Sequence, residues 1–253
     1  MHPALRHLKH RPWPIPEQPW SWRQAWCNLL FAHWPIPKSD LRLLIPEPLE
    51  VQEFDGTAWL GVVPFEMRGV MRRFLPDLPG FSAFPEWNVR TYVSLNGRPG
   101  VWFFSLDATN RLAVWGGQRC FHLPYHRAKI TIQQNDGQLL HEGSRHDHGP
   151  HLEYAAKFAP AGPTFQAEPG SLEHWLTERY CLYAHRPDGR MYRTEVHHRQ
   201  WPLQNASAEL DVKALVARCH LTIEGPPVSC LFAKKVDVVA WNPMLLDPTK
   251  PQS

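Results

Sequence analysis

The sequence predicts a mainly β protein, an antiparallel barrel or sandwich with only short helices. Asx-Gly pairs separate strand-like runs at four places, Asp55-Gly56, Asn96-Gly97, Asp136-Gly137 and Asp188-Gly189. Such pairs favour two-residue hairpin turns, because both central residues need a positive φ. Residues 206–214 alternate between apolar and polar side chains, as a half-buried strand does. With twelve Trp and twelve Phe residues, a curled sheet has enough aromatic side chains to line an internal cavity.

One large β domain accounts for the length of 253 residues. The hydrophobic fraction of 43% supplies a core, and no internal repeat or break in composition divides the chain. We expect an extended N-terminal arm over residues 1–21, because Pro, His and Trp occur there without periodicity. A single barrel domain is expected over residues 22–242, followed by a flexible tail over residues 243–253.

Composition also argues against several classes of partner. The net charge of +3 comes without a run of Lys or Arg, so nucleic acid is not an expected partner. No apolar stretch is long enough for a membrane span, and no secretory leader is recognisable. Five cysteines without a C-x-x-C motif fit a reducing cytoplasm. No phosphate loop, nucleophile elbow or H-E-x-x-H motif is present, and we predict no cofactor.

The first half of the chain contains one short helix before its hairpins. Ser39 and Asp40 provide caps for this helix, which closes before Pro46. A hairpin around residues 55–56 follows, and then a long loop over residues 66–86. The central hairpin spans residues 87–108. Residues 107–114 predict a short helical connection that ends before Gly116-Gly117.

In the second half, the remaining hairpins turn at residues 136–137 and 188–189. Residues 144–170 show no periodicity and are expected to be irregular. Ser171 caps a short helix after them. A strand over residues 206–214 and a strand or strand pair over residues 228–241 complete the sheet.

The central hairpin carries the first candidate site. Along its first arm Arg90 and Tyr92 share one strand face, and Val89 lies on the other. We predict that Arg90 and Tyr92 point into the barrel. The alternative is that this face is the solvated side of the sheet, since a slip of one residue exchanges the two faces.

Several segments of the chain together resemble the YqjF-like family of uncharacterised bacterial proteins. Two of these segments are Trp-Leu-Gly-Val-Val-Pro-Phe at residues 59–65 and Leu-Thr-Glu-Arg-Tyr at residues 176–180. The others are residues 88–93, 100–108, 123–125, 196–198, 201–203 and 236–241. This family is distantly similar to acetoacetate decarboxylase. The resemblance therefore implies an acetoacetate-decarboxylase-like antiparallel β-barrel that encloses a small-molecule cavity.

The resemblance also bears on the chemistry. Acetoacetate decarboxylase forms an imine through one of two adjacent lysines, and in the similar stretch of this chain those positions fall on Tyr125 and His126. Neither side chain forms an imine, and Lys129 lies four residues further on. We therefore expect no lysine imine. The similar stretch also places Arg119, which follows Gly116-Gly117, beside the site.

The candidate site residues follow from these two arguments. The predicted catalytic residues are Tyr125 and Glu178, as acid or base. The predicted ligand-binding residues are Arg90, Tyr92, Arg119, Tyr180 and His198. An arginine fork suits a carboxylate. The alternative for the arginines is a structural ion pair with Glu86 or Glu178, and for Glu178 a salt bridge to an arginine.

Histidines offer a weaker signal. His197 and His198 are adjacent on a predicted strand, so at most one of them lines the cavity. His141, His146, His148 and His151 are close in sequence, but H-x-H with scattered partners is not a specific metal motif. We predict no metal site.

Two functions are consistent with the sequence. The first is an enzyme that acts on a small carboxylate or keto substrate, with an arginine on the anion and Tyr125 or a carboxylate transferring the proton. The second is a non-catalytic module that binds a small apolar or anionic ligand. A buried titratable group within reach of the bound anion favours the enzyme. The sequence leaves the choice, the ligand and the oligomeric state open.

Overall fold

The computed structural model describes residues 2–77, 82–145 and 151–247. The predicted mainly β class is confirmed, since strands dominate this part of the chain. The strands are β1 Trp22–Ile36, β2 Glu50–Val51, β3 Ala58–Arg72, β4 Phe84–Leu95, β5 Arg98–Ala108, β6 Tyr125–Arg127, β7 Lys129–Asn135, β8 Gln138–Arg145, β9 Leu152–Phe165, β10 Cys181–His185, β11 Met191–His198, β12 Leu203–Asp211, β13 Ser229–Ala240 and β14 Met244–Leu245. The helices are α1 Lys38–Arg42, α2 Arg111–Cys120, α3 Leu172–Thr177 and α4 Lys213–Ala217.

Seven strands pair into a closed ring in the order β1, β3, β4, β5, β10, β11 and β13. The ring closes because β13 pairs both with β11 and with β1. All neighbours in the ring are antiparallel except β5 and β10. The two opposite faces of each strand therefore point into the ring or away from it.

A second set of strands extends from β13 in the order β12, β9, β8 and β7 and packs on the outside of the ring. The contact is apolar: Trp87 of β4 meets Tyr154 of β9 with ring centroids 4.9 Å apart. Strand β1 contributes side chains to two hydrophobic clusters. Leu30 packs in the outer cluster, between the ring and the second set of strands, and Phe31 packs in the inner cluster, inside the ring. A β-bulge near Asn28, whose φ is 50°, interrupts its pairing with β3.

Three of the four Asx-Gly pairs have positive φ at both residues, at Asp55-Gly56, Asn96-Gly97 and Asp136-Gly137. At Asp188-Gly189 only the glycine has a positive φ, and the turn is closed by a hydrogen bond from Arg186 N to Arg190 O. The turn at residues 55–56 joins the expected segments, but β2 pairs with β4 rather than with β3.

Three elements differ from the sequence prediction. Helix α2 starts at the Asn110 cap and continues through Gly116 and Gly117 to Cys120, so these glycines are not in a loop. Strands β3 and β4 run into the predicted loop over residues 66–86 and reduce it to a short connection. Strand β9 occupies most of the segment that was expected to be irregular, because its edges pair with β8 and β12.

Both chain ends lie against the ring where they are described. In the N-terminal segment, Arg11 is buried and forms an ion pair with Glu195 of β11. Met244–Leu245, in the predicted tail, pairs with Tyr192 and Arg193. Residues 248–253 are outside the described residues. No helix in the described part of the chain is long and apolar enough to cross a membrane.

Candidate functional site

A row of polar side chains lies on the inner face of β4, at Glu86, Asn88, Arg90 and Tyr92. The strand alternates, so Trp87 and Val89 pack in the outer core. The Arg90 guanidinium lies 5.3 Å from the Phe31 ring centroid, and Phe31 belongs to the inner cluster. Arg90 therefore faces the ring interior, as the alternation in the sequence indicated.

Tyr92 links the polar row to helix α3 and to β1. Its hydroxyl donates to the carbonyl oxygen of Leu176 at 2.8 Å and lies 2.6 Å from His33 Nε2. Because the hydroxyl proton is used on Leu176, His33 Nε2 is the donor in the second bond. His33 is fully buried, and this burial lowers its pKa well below the usual value. His33 is therefore neutral, and it was not among the predicted site residues.

Gly61 of β3 lies between His33 and Arg90 in the sheet. A Cβ atom at this position would lie 3.1 Å from the His33 ring and 3.4 Å from Arg90 Cγ. The missing side chain thus leaves both polar groups their space on the inner face.

Arg179 is a second arginine beside Tyr92, and it was not among the predicted site residues. Its guanidinium carbon lies 4.8 Å from the Tyr92 ring centroid and 4.4 Å from that of Trp175. It donates to Trp175 O at 2.8 Å and to Gln52 Oε1 at 2.6 Å. Burial lowers the pKa of Arg179 to about 10, so the guanidinium stays charged at neutral pH.

Neither Arg90 nor Arg179 has a carboxylate within 4.0 Å among the described residues. Arg90 instead donates weakly, at 3.5 Å, to the Tyr92 hydroxyl and to Leu176 O. The alternative of a structural ion pair with Glu86 or Glu178 is therefore wrong for Arg90. These two carboxyl groups bond elsewhere.

Glu86 forms a buried pair with Tyr125. The Tyr125 hydroxyl donates to Glu86 Oε2 at 2.7 Å, and Glu86 is only 1% exposed. Burial, together with the nearby Asp107 charge, raises the pKa of Glu86 to about 8, although the hydrogen bond from Tyr125 opposes the shift. Burial also raises the pKa of Tyr125 well above its usual value. Glu86 is therefore mainly a neutral carboxyl at pH 7.

Helix α2 holds Tyr125 in this position. Gln118 Nε2 donates to Tyr125 O at 2.7 Å, and the aromatic ring packs directly against Gly117. Tyr125 also lines an outer cleft of about 1010 Å³ between α2, β6 and β8. The missing side chain at Gly117 thus leaves space for the Tyr125 ring.

The raised pKa of Glu86 makes stability depend on pH. In the unfolded chain a glutamate ionises near its ordinary pKa of roughly 4.3, whereas in the fold it stays neutral up to about pH 8. Between these values the unfolded state releases a proton that the folded state retains. The contribution of Glu86 to the free energy of unfolding is thus fully present below pH 4. It is lost as pH rises towards 8, by about 1.4 kcal/mol per pH unit at most.

We expect Glu86→Gln to lose this pH dependence. The variant should gain stability relative to the wild type as pH rises from 5 to 8, and the difference should level off above pH 8. Urea unfolding at pH 5, 6, 7, 8 and 9 measures it. Parallel profiles for the two proteins would show that Glu86 ionises normally in the fold.

Glu178 and Tyr180 form a second buried carboxyl–phenol pair. The Tyr180 hydroxyl donates to Glu178 Oε2, and Trp201 N donates to Glu178 Oε1 at 3.0 Å. Burial raises the pKa of Glu178. Both carboxyl oxygens are thus occupied within the fold, and no arginine among the described residues forms the predicted salt bridge with Glu178.

His197 and His198 point to opposite sides of β11. His198 packs against Trp26, Tyr180 and Trp201, with ring centroids 4.8–5.9 Å away. Its burial lowers its pKa to about 4, so it is neutral. His197 contacts the carbonyl oxygens of Ala4 and His7 in the N-terminal segment.

Arg119 lies away from the polar row. It is an exposed residue of α2 and lines a separate cleft of about 630 Å³ with His185 and Arg186. Arg119 is exposed on helix α2, which the sequence predicted to end before Gly116.

Two of the four histidines that are close in sequence over residues 141–151 have described positions, and they lie in different environments. His141 is buried between the Trp87 and Phe158 rings, and His151 pairs with Glu153 at 2.8 Å. His146 and His148 lie outside the described residues. Among the residues with described positions, no three His, Cys, Asp or Glu side chains could hold a metal ion together.

The fold of this chain, with its closed ring of strands, is similar to that of acetoacetate-decarboxylase-like structures. The acetoacetate decarboxylase of Legionella pneumophila is 15% identical, with a TM-score of 0.59 over 94% of this chain and 93% of that one. The enduracididine biosynthesis enzyme MppR, in a structure complexed with pyruvate, is 13% identical with a TM-score of 0.64 over 99% of both chains. At these identities the likeness concerns the fold.

The sequence comparisons give the family. The model of DUF2071, described as an uncharacterised conserved protein, matches residues 23–237. The uncharacterised protein YqjF of Bacillus subtilis (strain 168) is 41% identical over 227 residues, which are 90% of this chain and 93% of that protein. This chain therefore belongs to the DUF2071 family, and the resemblance seen in the sequence is confirmed.

Proposed function

We propose that this protein binds a small keto acid inside the ring and catalyses proton transfer on it. In this proposal Arg90 holds the carboxylate, Tyr92 helps to position Arg90 by accepting a weak hydrogen bond from it, and Glu86, held by Tyr125, transfers the proton. The observation that carries the proposal is the buried Glu86–Tyr125 hydrogen bond of 2.7 Å. A proton-transfer group is most effective when its pKa lies near the working pH, and burial brings Glu86 to about 8.

The spacing along β4 places the two proposed functional groups on one strand face. Glu86 and Arg90 lie four residues apart, which separates their Cα atoms by about 13 Å. Asn88 lies between them, and its buried Oδ1 atom has no hydrogen-bond partner among the described residues.

Partial exposure inside the ring supports space for such a ligand. Arg90, Phe103 and Leu182 all lie on the inner face, yet each is only half-buried. In a closed ring filled by its own side chains, inward-facing groups would be fully buried. Their exposure is consistent with open volume at the level of Arg90.

The chemistry proposed here uses no lysine imine. Every lysine within the described ranges is exposed, and Tyr125 and His126 occupy the stretch where the related decarboxylase has lysines. In the proton-transfer step, the Glu86 carboxylate removes a proton from the carbon next to the keto group. Tyr125 keeps its single hydroxyl proton on Glu86 and so orients this carboxylate. The protonated Glu86 then exchanges with solvent and returns a solvent-derived proton to the same carbon atom.

Three predicted residues receive other roles. We assign Glu178 and Tyr180 to holding Trp201 and the start of β10, since their polar atoms bond within the fold. His198 is proposed to form part of the aromatic wall. Arg119, exposed on α2, is not part of the site in this proposal, so Arg119→Ala should leave keto-acid binding unchanged.

Proton exchange tests the proposal directly. Pyruvate and 2-oxobutyrate are suitable substrates, since MppR, which shares the fold, is described in complex with pyruvate. The wild type in D₂O should exchange the protons next to the keto group, as followed by ¹H NMR, and the rate should rise with pH towards 8. Glu86→Gln and Tyr125→Phe should each lower the rate by about 10²-fold or more, and Arg119→Ala should not.

Two further outcomes separate the alternatives. Borohydride reduction in the presence of acetoacetate should leave the intact mass unchanged, whereas a stoichiometric adduct on Lys129, Lys234 or Lys235 would establish an imine mechanism. Binding of pyruvate without proton exchange would show a non-catalytic binding module.

A further inference from the structure

Two guanidinium groups lie beside the aromatic ring of Tyr92. The guanidinium carbons of Arg90 and Arg179 are 5.7 and 4.8 Å from the Tyr92 ring centroid. As described above, no carboxylate among the described residues lies within 4.0 Å of either. His33, which bonds to the Tyr92 hydroxyl, is buried and neutral, so it adds no compensating charge.

This arrangement is costly for a folded protein. Arg179 is only 7% exposed, and removing a guanidinium from water without a counter-ion is strongly unfavourable. Its two hydrogen bonds and its stacking on Tyr92 and Trp175 offset part of that cost. Its Nη2 atom remains buried without a partner among the described residues, and so does Nε of Arg90. Other buried arginines have a carboxylate partner: Arg11 and Arg193 each form an ion pair with Glu195.

We propose that Arg179 and Arg90 form a two-arginine anion site and that the ring selects ligands with a negative charge over neutral ligands of the same shape. The inference rests on the proposed function only for the location of the ligand, and it adds the charge requirement and Arg179. The chemical class is a small carboxylate or phosphonate. Arg90, which is half-buried, contacts the anion, and Arg179 adds charge behind Tyr92.

The surroundings of the two arginines fit these two roles, contact with the anion for Arg90 and added charge for Arg179. Gly61 leaves space beside Arg90, so that its side chain lies inside the ring. Arg179 fixes Trp175 of α3 and Gln52 through its hydrogen bonds. A single cation would attract an anion, and a second buried cation makes the preference for charge much stronger, because the low local dielectric screens it less.

Pyruvate and its neutral isostere pyruvamide test the charge requirement. Their binding to the full-length protein is measured by titration calorimetry for the wild type, Arg179→Gln, Arg179→Lys and Arg90→Gln. We expect each glutamine variant to bind pyruvate 10- to 100-fold more weakly, and pyruvamide less than threefold more weakly. Arg179→Lys should recover part of the pyruvate affinity. Arg190→Gln, which removes an exposed arginine in the Asp188-Gly189 turn, is the matched control and should change neither.

A second readout does not depend on pyruvate being the ligand. Formate, pyruvate and methylphosphonate, added at constant ionic strength, should raise the melting temperature of the wild type, because a bound anion stabilises the folded state. This rise should disappear in Arg179→Gln and Arg90→Gln. If no anion raises the melting temperature of the wild type, or if Arg179→Gln weakens both ligands equally, the anion site is wrong.

The same measurements separate this inference from the proposed function. If the wild type binds pyruvate more tightly than pyruvamide but exchanges no protons, the anion site is supported and the catalytic proposal is wrong. Conversely, Arg179→Gln could leave the rate of proton exchange unchanged while the wild type binds pyruvate and pyruvamide equally well. That result would support the catalytic proposal and contradict the anion site.

Discussion

Replacing Glu195 with alanine is expected to destabilise the protein by about 3–5 kcal/mol. Glu195 is buried on β11, and its carboxylate contacts Arg11, Arg98 at 3.2 Å and Arg193 at 2.9 Å. Trp13 Nε1 also donates to it at 2.9 Å. Its removal takes away the carboxylate that three guanidinium groups share, at a place where water replaces it poorly.

The exposed residue Asp188 provides a matched control for this prediction. It too pairs with two arginines, Arg186 and Arg190, but all three groups lie at the surface, where solvent screens the interaction. Urea unfolding of Glu195→Ala and Asp188→Ala should therefore give a large loss for the first and a much smaller loss for the second. Equal losses would mean that burial of Glu195 contributes little.

The second large effect is expected from adding one methyl group at Gly117. A Cβ atom there would lie 2.2 and 2.4 Å from carbon atoms of the Tyr125 ring, which no packing tolerates. The ring must move, and its hydroxyl then leaves Glu86. We expect Gly117→Ala to cost about 1–3 kcal/mol of stability through overpacking and to lower proton exchange as much as Tyr125→Phe does.

Gly116→Ala is the control in the same helix. A Cβ atom at Gly116 meets nothing within 4 Å, and alanine is the better helix former by roughly 1 kcal/mol. This variant should be as stable as the wild type or more stable, with unchanged exchange. If both alanine variants retain exchange, the position of the Tyr125 ring does not matter for the chemistry.

The sequence predicted the parts of the site that depend on local pattern. Strand alternation placed Arg90 and Tyr92 on one face and Val89 on the other, because the side-chain period of a strand is a property of the backbone. The family resemblance pointed to Tyr125. The fold class followed from the same alternation and from the turn pairs.

Residues whose role depends on distant contacts were missed. Glu86 became a candidate only because the fold buries it against Tyr125, 39 positions away. Arg179 was overlooked because its lack of a counter-ion is a property of the three-dimensional packing. The exposed position of Arg119 was not predicted, since the sequence did not indicate that α2 continues through two glycines, each a poor helix former.

The closure of the ring determines when the site can form. Strand β1 near the start of the chain pairs with β13 near its end, with Trp22 opposite Ala240 and His33 opposite Ser229. Contacts between residues so far apart in sequence are slow to form. During synthesis, the edge of β1 that pairs with β13 therefore stays unpaired until β13 has left the ribosome. The ring is closed only in a chain that extends through β13, so a nascent chain that ends before β13 does not enclose the polar row of β4.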